Sequence, residues 1–360
     1  MSAVPSTAPV SVVVCNYNGE LYLPACLDGI LALEGGFDEC IVVDNASTDG
    51  SVALLEADYP QVRILRMESN GGPAPARNAG MRAARNRRVL AVDNDAIPRP
   101  DLLLKLQQAF DSGPDVAIVQ PRSVFHHDLE RVHYDGGDFH FAGLIALRNF
   151  YTPLDQAQGQ GTLDVDVAVS VCLLLDRDRV LALGGYDESY FILFEDLDLS
   201  YRVRSAGGRI LSVEDAIVEH RAGTPGVSFR EGTDYPSSRV FYHSRNRWLF
   251  MFKCFSARTL LLSVPALLVY EAMWLAFAVV KGGAGSWVRG KREVYDRRHA
   301  LAADRARVQA ARTRSDASLL VGGPLTLTPA LKDAGLARLV SAMLDRVLRV
   351  WWAIISPLCR

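Results

Sequence analysis

The chain has 360 residues, of which 49% are hydrophobic and 22% are charged, and its formal net charge is -2. These values are ordinary for folded protein. They exclude global disorder, because apolar content is high and net charge is low. The near-zero charge gives no overall field that favours nucleic acid, so we expect no nucleic-acid partner. The length allows two domains, or one large α/β domain with an appendage.

The cysteines and the N-terminal residues bear on the cellular compartment. The 6 cysteines are scattered without CxxC spacing, so neither a zinc site nor a disulfide framework is indicated. We interpret them as buried thiols in a reducing compartment. Residues 1–9 are small and polar, and they lack the basic and apolar regions of a signal peptide. We therefore expect a cytoplasmic protein.

Residues 10–120 alternate short apolar runs with stretches of helical pattern. The predicted strands are Val10–Cys15, Cys40–Asp44, Val62–Met67, Val89–Asp93 and Val116–Gln120, and the predicted helices are Leu21–Leu33, Ser51–Ala57, Ala74–Ala84 and Asp101–Phe110. Continuous apolar runs are typical of strands buried on both faces, and their alternation with helices implies parallel βαβ units. The pattern predicts a doubly wound, mostly parallel sheet flanked by helices. Such sheets bind ligands at the carboxyl ends of their strands.

The next segment is less regular. Pro121–Asp166 has weak periodicity, and we interpret it as an irregular insertion with some β structure. It is followed by predicted strands at Val167–Leu175 and Arg209–Val213, and by predicted helices at Asp176–Leu183 and Glu195–Ala206. Both helices are closed by glycine pairs, which is a common stop signal.

Two of the predicted strands end in an aspartate, Asp44 and Asp93. A carboxylate at the end of a buried strand costs desolvation energy unless it has partners. Two at equivalent positions therefore indicate a shared ligand cleft. A helix N-cap at Ser47 or Asp49 is the alternative for the first of them, but it leaves Asp44 itself unexplained.

The second acid belongs to the run Asp93-Asn94-Asp95. Two carboxylates one residue apart can hold a divalent cation, Mg²⁺ or Mn²⁺, which prefers oxygen ligands and often shares them with a diphosphate. The alternative is a solvated turn, in which these residue types are frequent.

Six ordered blocks of the sequence resemble the large family 2 of inverting glycosyltransferases. The blocks are Val12–Gly19, Val42–Asp49, Asn70–Gly72 with Ala76–Gly80, Asp93–Asp95, Gly184–Glu188 and Phe194–Leu199, followed by His220. The resemblance covers about Val10–Trp248. It implies a GT-A fold and, less specifically, a rhamnosyltransferase-like member of bacterial surface-polysaccharide pathways.

The resemblance also implies roles for the donor side. Asp44 would receive a nucleobase N–H, with the backbone of Cys15, Asn16 and Tyr17 flanking the base. The remaining donor contacts would be Arg77 near the base or diphosphate, Asp93 at the ribose and Asn94 beside it. The alternative for Arg77 is a charge on a helix surface.

For the metal and the acceptor, the resemblance implies that Asp95 binds the cation and that His220 is a further metal ligand or diphosphate contact. Asp196 would be the catalytic base, with Glu195 and Asp198 on the acceptor side. Inverting transfer fits these residue types, because it needs one carboxylate to accept a proton and positive charge for the leaving diphosphate. The alternatives are acids that stabilise a helix start, an Asp198–Arg202 salt pair, and a histidine that only forms hydrogen bonds. The basic run His243–Arg247 would contact a diphosphate or an acidic acceptor, or would be a solvated helix start.

The C-terminal third differs in composition from the rest of the chain. Thr259–Val280 is nearly all apolar and long enough to cross a bilayer, although it contains Pro265 and Glu271. The following basic stretch suits an anionic membrane surface, and Leu339–Leu358 carries tryptophans beside arginines. We therefore expect helices that lie on the inner leaflet. A core hairpin and a dimer interface are the alternatives, and Arg312–Leu325 is predicted to be a loop.

The sequence thus predicts a GT-A catalytic domain over 1–255, with nucleotide-sugar binding in 10–120 and the acceptor part in 121–255, and a helical appendage over 256–360. The expected enzyme is a metal-dependent, hexosyltransferase-type glycosyltransferase attached peripherally to the inner face of the cell membrane. It would move a sugar, rhamnose being one candidate, from a nucleoside diphosphate sugar to a glycan or lipid-linked oligosaccharide. A dimer interface in the appendage would instead make the protein a homo-oligomer. The alternatives are a non-catalytic sugar-nucleotide-binding scaffold and a nucleotidyltransferase, although Asn16–Gly19 is not a phosphate loop.

Overall fold

The computed structural model describes residues 8–157, 159, 161–221, 235–326 and 335–360. These residues form two compact units, each described separately below. The first comprises the described residues of 8–137, 147–203 and 208–221, and the second comprises those of 138–146, 204–207 and 235–360.

The first unit is a ten-stranded mixed sheet flanked by helices. Its strands are β1 Val10–Asn16, β2 Glu39–Asp44, β3 Arg63–Arg66, β4 Arg88–Asp93, β5 Ala96–Pro98, β6 Val116–Phe125, β7 Asp128–Tyr134, β10 Thr162–Val165, β11 Cys172–Asp176 and β12 Arg209–His220. Its helices are α1 Leu23–Leu31, α2 Ser51–Asp58, α3 Pro73–Ala83, α4 Leu102–Phe110, α5 Arg177–Ala182 and α6 Glu195–Ser205. The order along the sheet is β10-β12-β6-β11-β4-β1-β2-β3, with β5 paired to β12 and β7 paired to β6.

The predicted parallel strands are present, and antiparallel strands extend the sheet. Strands β4, β1, β2 and β3 are parallel neighbours, as the alternating pattern predicts. Beyond β4, however, β11 runs antiparallel to both β4 and β6, and β10 and β5 run antiparallel to β12. Strand β12 is parallel to β6, which runs in the same direction as β4. Six of the ten strands therefore share one direction (β1 to β4, β6 and β12), and the four antiparallel strands are added to a mostly parallel sheet.

The core lies on both faces of the sheet. Val12, Val14 and Val42 pack on one face and Val13 and Val43 on the other, and all of them are fully or nearly fully buried. This agrees with the continuous apolar runs, since alternate residues of a strand point to opposite faces.

Three local predictions need correction. Helix α2 begins at Ser51 with Gly50 as its N-cap, so neither Ser47 nor Asp49 caps it; the Asp49 carboxylate instead accepts a hydrogen bond from the Ser51 backbone N–H at 3.1 Å. Within the predicted strand Val167–Leu175, only Cys172 onward is strand. Residues 121–166 contain more regular β structure than expected, from the end of β6 to β10.

The second unit is mainly helical. Its elements are β8 Gly137–His140, β9 Leu144–Leu147, α7 Ser237–Cys254, α8 Ala257–Val280, α9 Ala284–Asp296, α10 Arg298–Ala311, α11 Asp316–Leu319, β13 Leu320–Val321 and α12 Gly335–Ile355. The strands form a small sheet in the order β13-β8-β9. The predicted loop Arg312–Leu325 therefore contains a short helix and a strand. Among the described residues, α8 alone is long and apolar enough to cross a bilayer, judged by length and composition.

The basic run His243–Arg247 lies inside α7 rather than at its start. Arg247 is fully buried, and its guanidinium forms an ion pair with Glu271. The expectation of a solvated helix start is therefore wrong. Because α7 belongs to the second unit, this division differs from the domain boundary expected between 255 and 256, which remains a prediction.

Candidate active site

The candidate site begins where three neighbouring parallel strands end. In the strand order β4-β1-β2, Cys15 lies opposite Asp93, and Asn16 lies opposite Asp44. Parallel strands bring their carboxyl ends to one edge of the sheet, which is why residues far apart in sequence meet here. Asp44 is buried, whereas the Tyr17 side chain is 46% exposed. The strand ends thus combine a buried acid with an accessible aromatic ring.

Asn16 connects the two acidic strand ends. Its side-chain amide donates to Asp44 Oδ1 at 3.0 Å and to Ser47 Oγ at 3.2 Å, and its Oδ1 accepts from Asn94 Nδ2 at 2.8 Å. Gly19 covers this junction so closely that an added Cβ would lie 2.1 Å from the Asn94 amide nitrogen. A side chain at position 19 would therefore displace the amides that join the strand ends.

Arg77 on α3 joins the end of β4, which is Asp93, to the start of α6. Its guanidinium contacts Asp93 Oδ1 at 2.7 Å and Glu195 Oε1 at 3.4 Å, and it donates to the Ser170 carbonyl at 2.8 Å. It also lies over the Tyr186 ring, 5.3 Å from the centroid. Only 5% of Arg77 is exposed. The alternative of a helix-surface charge is therefore wrong, and Arg77 instead holds two acidic segments together.

Burial shifts the proton affinities of these carboxyl groups. It raises the pKa of Asp93, while the neighbouring Arg77 guanidinium opposes the shift. Burial, with the charge of Asp196 adding to it, raises the pKa of Glu195 to about 7. Burial also raises the pKa of Asp196 above its usual range. Two adjacent carboxyl groups with raised pKa values make a pair that can hold or accept a proton near neutral pH.

Asp95 and His220 meet through strand pairing rather than sequence spacing. Strand β5 begins directly after Asp95 and pairs with β12, which places His220 opposite Ala96. The Arg221 N–H donates to the Asp95 carbonyl at 2.9 Å, and His220 Nε2 lies 3.3 Å from Asp95 Oδ2. The other ring nitrogen, His220 Nδ1, lies 3.0 Å from His133 Nδ1.

These two side chains are the ones that fit a divalent cation. Across the described ranges, no group of three His, Cys, Asp or Glu side chains is arranged to hold a metal by itself. Asp95 Oδ2 and His220 Nε2 lie 3.3 Å apart and so offer one oxygen and one nitrogen side by side. Mg²⁺ commonly uses one or two protein ligands and completes its shell with water and substrate phosphates. The donor set therefore fits a cation shared with a diphosphate rather than a closed protein site.

The acids of α6 separate into different environments. Asp196 is half-buried, and its Oδ1 accepts from the Leu197 N–H at 2.8 Å. Asp198 has no exposed surface, and its carboxylate pairs with Arg202 at 2.7 Å. The structure therefore favours the salt pair over the acceptor contact expected of Asp198. Glu195 is also buried, but its Oε1 faces Arg77 of α3 and not a residue of α6.

Sequence reasoning missed three contributors to this arrangement. Asn78 exchanges hydrogen bonds with the backbone of Tyr186 at 2.8 Å in each direction, Ser170 accepts from Arg77, and His133 contacts His220. The block that contains Arg77 also contains Asn78, so that signal was present. No spacing in the sequence pointed to Ser170 or His133, because tertiary pairing alone brings them to the site.

The fold and the edge site define the class of this protein: an α/β domain of the GT-A type. Residues 11–178, just under half of the chain, match the model of Glycosyl transferase family 2. The match ends before α6, so Asp196 and His220 lie outside it. The crystal structure of GalNAc-T7 with UDP, GalNAc and Mn²⁺ superposes with a TM-score of 0.51 and 17% identity, covering 68% of this chain and 50% of that chain.

Curated relatives extend the likeness to bacterial biosynthesis proteins. The succinoglycan biosynthesis protein ExoO of Rhizobium meliloti is 36% identical over 118 residues, which are 32% of this chain and 34% of that protein. The amylovoran biosynthesis glycosyltransferase AmsE of Erwinia amylovora is 26% identical over 241 residues, which are 64% of this chain and 82% of that protein. The chain thus matches only about a third of ExoO but most of AmsE.

Proposed function

We propose that the chain is an inverting glycosyltransferase that moves a sugar from a nucleoside diphosphate sugar to a hydroxyl group. One observation carries this proposal. Arg77 lies between Asp93, at the end of the strand expected to bind the donor, and Glu195, next to the candidate base Asp196. The side chains expected to bind the donor and to activate the acceptor therefore form one connected arrangement.

In the proposed reaction, Asp196 accepts the proton of the acceptor hydroxyl as its oxygen attacks the anomeric carbon. The bond to the diphosphate oxygen breaks in the same displacement, and the configuration inverts. A carboxylate with a raised pKa is suited to this role, because general bases work best when their pKa approaches the working pH. The expected transition state resembles an oxocarbenium ion.

We further propose that the donor diphosphate is held with Mg²⁺ or Mn²⁺ at Asp95 and His220. When bound, this cation supplies positive charge that stabilises the departing nucleoside diphosphate. The geometry of the two side chains supports this, and GalNAc-T7, which shares the fold, was crystallised with UDP and Mn²⁺. Asp44 and the backbone of Cys15–Tyr17 would bind the nucleobase.

The acceptor is proposed to be a glycan or a lipid-linked oligosaccharide. The names of ExoO and AmsE refer to succinoglycan and amylovoran biosynthesis, which supports a role in bacterial polysaccharide assembly. Rhamnose remains a proposal for the transferred sugar. We also propose that the enzyme works in the cytoplasm, attached peripherally to the inner face of the cell membrane.

The donor proposal is tested by thermal unfolding of the full chain with uridine, thymidine and guanosine diphosphates, with and without Mn²⁺. A ligand that binds only the folded state raises the unfolding temperature. We expect one diphosphate to do so in the presence of Mn²⁺, and the Asp95→Ala variant to lose the metal-dependent part of the shift. An unchanged shift in Asp95→Ala would contradict the metal assignment.

The base assignment is tested by Asp196→Asn, using the release of nucleoside diphosphate from the donor as readout. We expect turnover to fall by about 10²–10⁴-fold, the range typical of a lost general base, while the thermal shift by the diphosphate stays the same. Asp178→Asn, in an exposed acid on α5, is the matched control and should retain full turnover. Equal loss of turnover and of donor binding in Asp196→Asn would argue against a base.

A further inference from the structure

Helix α8 presents a continuous apolar stripe to its surroundings. Leu261 is 72% exposed and Leu268 is 64% exposed, and Val264 and Val279 on the same side are also exposed. The spacing of three, four and eleven residues keeps these side chains on one face of a helix. Exposed alanines at 272 and 276 continue the stripe. Contiguous exposed apolar surface of this kind marks a docking site.

The one carboxylate of α8, Glu271, lies at the edge of this stripe, seven residues after Val264, and is held by partners from α7 and α9. Glu271 Oε1 accepts hydrogen bonds from Trp248 Nε1 at 2.7 Å and from Lys291 Nζ at 3.0 Å, and it pairs with Arg247. The charge at the edge of the stripe is therefore paired within the unit. A bilayer-spanning α8 would take this charged cluster into the hydrocarbon, where each charge is costly. A helix that lies in the membrane plane leaves the cluster inside its own unit.

Helix α12 carries two separate apolar stripes. Its inward side chains are buried: Leu344, Leu348, Trp352 and Ile355. Its outward side chains are 40–61% exposed: Leu339, Val340, Met343, Val347, Val350 and Ile354. Both sets follow the three- and four-residue spacing of a helix face. Packing within the unit thus accounts for the inward stripe and leaves the outward stripe without an explanation.

Helices α8 and α12 lie side by side and run antiparallel. Trp351 Nε1 donates to the Leu262 carbonyl at 3.0 Å. Just beyond the end of α12, Cys359 forms a side-chain hydrogen bond with Thr259. Residue numbers therefore rise along one helix as they fall along the other.

This pairing places the two outward stripes on the same side. The hydrogen bond between the helices joins Leu262 to Trp351. Leu262 is the residue after Leu261 of the α8 stripe. Trp351 is likewise the residue after Val350 of the α12 stripe. One residue is a rotation of about 100° in an α-helix. In an antiparallel pair, equal rotations from stripe to contact put both stripes on one common surface.

Positive charge is associated with this surface. An exposed arginine borders each stripe: Arg258 lies three residues before Leu261, and Arg346 lies three residues after Met343. The carboxylates of these helices are Glu271, which is paired as described, and Asp345, which pairs with Arg349. Arginines beside an apolar stripe suit the boundary between acyl chains and anionic headgroups.

We propose that this two-helix face, formed by Leu261, Val264, Leu268 and Val279 of α8 and by the outward stripe of α12, inserts into one leaflet of an anionic phospholipid bilayer. Both helices lie in the membrane plane, and neither crosses it. The arginines contact the lipid phosphates. This gives the proposed peripheral attachment a defined surface and orientation, and it rests on the location proposed above but not on glycosyl transfer.

The experiment uses the full chain and sedimentation with vesicles of phosphatidylcholine alone or mixed with phosphatidylglycerol. We expect binding to the mixed vesicles, with weaker binding as salt rises. The double variant Leu268→Glu/Met343→Glu should bind at least about tenfold more weakly, because it places charge at the centre of the inserted face. Val288→Glu, at a 56% exposed position on α9, is the matched control and should bind like the unmodified chain. Undiminished binding of the double variant would overturn the proposal.

The orientation has its own test. Cysteines are introduced separately at Arg258 and Val280, near the two ends of α8, and treated with a membrane-impermeant thiol reagent outside sealed vesicles. Both should react equally, whereas protection of one end would show a crossing helix and overturn the in-plane arrangement.

Light scattering without lipid tests whether a second copy of the chain, rather than a membrane, covers this face. A dimer that the double variant dissociates, together with no vesicle binding by the unmodified chain, would also overturn the proposal. Thermal unfolding of every variant verifies that it is folded.

Discussion

The candidate active site and the two-helix face depart from the usual distribution of side chains in opposite directions. At the sheet edge, acids and an arginine are buried, with Arg77 only 5% exposed. On the two-helix face, leucines are exposed, and Leu261 reaches 72%. Buried polar groups and large exposed apolar patches are the informative exceptions in a folded protein.

The two regions differ in whether the chain itself supplies partners for the unusual side chains. The buried charges at the sheet edge have partners within the same unit, since Arg77 contacts both Asp93 and Glu195. Such partners are required, because an unpaired buried charge is strongly destabilising. Burying a leucine side chain contributes about 1.5–3 kcal/mol, and the exposed stripes do not gain this within the chain. The charges of the first region are thus paired within the chain, whereas the exposed apolar side chains of the second are not covered by its described residues.

The largest effect that sharpens this comparison is expected from Arg77→Met. Removal of the guanidinium leaves Asp93 and Glu195 close together without their shared cation. We expect the free energy of unfolding to fall by about 3–5 kcal/mol, the usual cost of breaking a buried ion pair. Urea denaturation measures it.

Arg82→Met is the control for this experiment. Arg82 lies on the same helix, but its side chain is 58% exposed and 3.5 Å from Glu188. Exposed ion pairs contribute about 0–1 kcal/mol, so this variant should unfold nearly as the unmodified chain does. An equal fall in the free energy of unfolding of the two variants would mean that the buried ion pairs of Arg77 stabilise the fold no more than an exposed pair does.

A smaller effect is expected from pH. The pKa of Glu195 is about 7 in the folded protein against 4.5 as its ordinary value. The folded state therefore binds more protons than the unfolded state between these values, and stability contributed by this group falls as pH rises through that window. Glu195→Gln removes the titrating group. Relative to the unmodified chain, the variant should gain on the order of 1–3 kcal/mol between pH 4.5 and pH 7.

Urea denaturation at pH 5 and pH 8 gives this difference directly. Glu188→Gln is a useful control, since Glu188 is a half-exposed acid of the same unit. The difference between that variant and the unmodified chain should stay constant with pH. A constant difference for Glu195→Gln as well would show that Glu195 is ionised throughout and that its burial has little effect on its proton affinity.

The parts of the fold that sequence predicts best are those fixed by local pattern. Strands β1, β2 and β4 follow from apolar runs, because both of their faces are buried. The short strands β5 and β7 to β10 carry no such pattern, and they exist through pairing with β6, β12 and the small second sheet. The direction of β11 was also inaccessible, since an apolar run does not indicate whether a strand is parallel or antiparallel to its neighbour.

The same distinction holds within the candidate site. The proximity of Asp44 and Asp93 follows from topology alone, because adjacent parallel strands end at one edge. The position of His220 beside Asp95 depends on the β5–β12 pair, which sequence did not reveal. The burial of Arg77 depends on Ser170 and Glu195, which are distant in the chain. The sequence therefore identifies the candidate residues and their order along the chain. It does not predict which charged partners surround each of them in the folded protein.

The smallest expected effect is the most direct test of the two-helix face, and it uses two adjacent residues of α8. Leu267 is 4% exposed and Leu268 is 64% exposed. Leu267→Ala should lower the free energy of unfolding by about 2–5 kcal/mol, because it leaves a cavity. Leu268→Ala should change it by less than about 0.5 kcal/mol, as substitutions of exposed side chains usually do. Urea denaturation without lipid compares the two. If Leu268→Ala were as destabilising as Leu267→Ala, the outward stripe would already be covered by protein, and a membrane would not be needed to bury it.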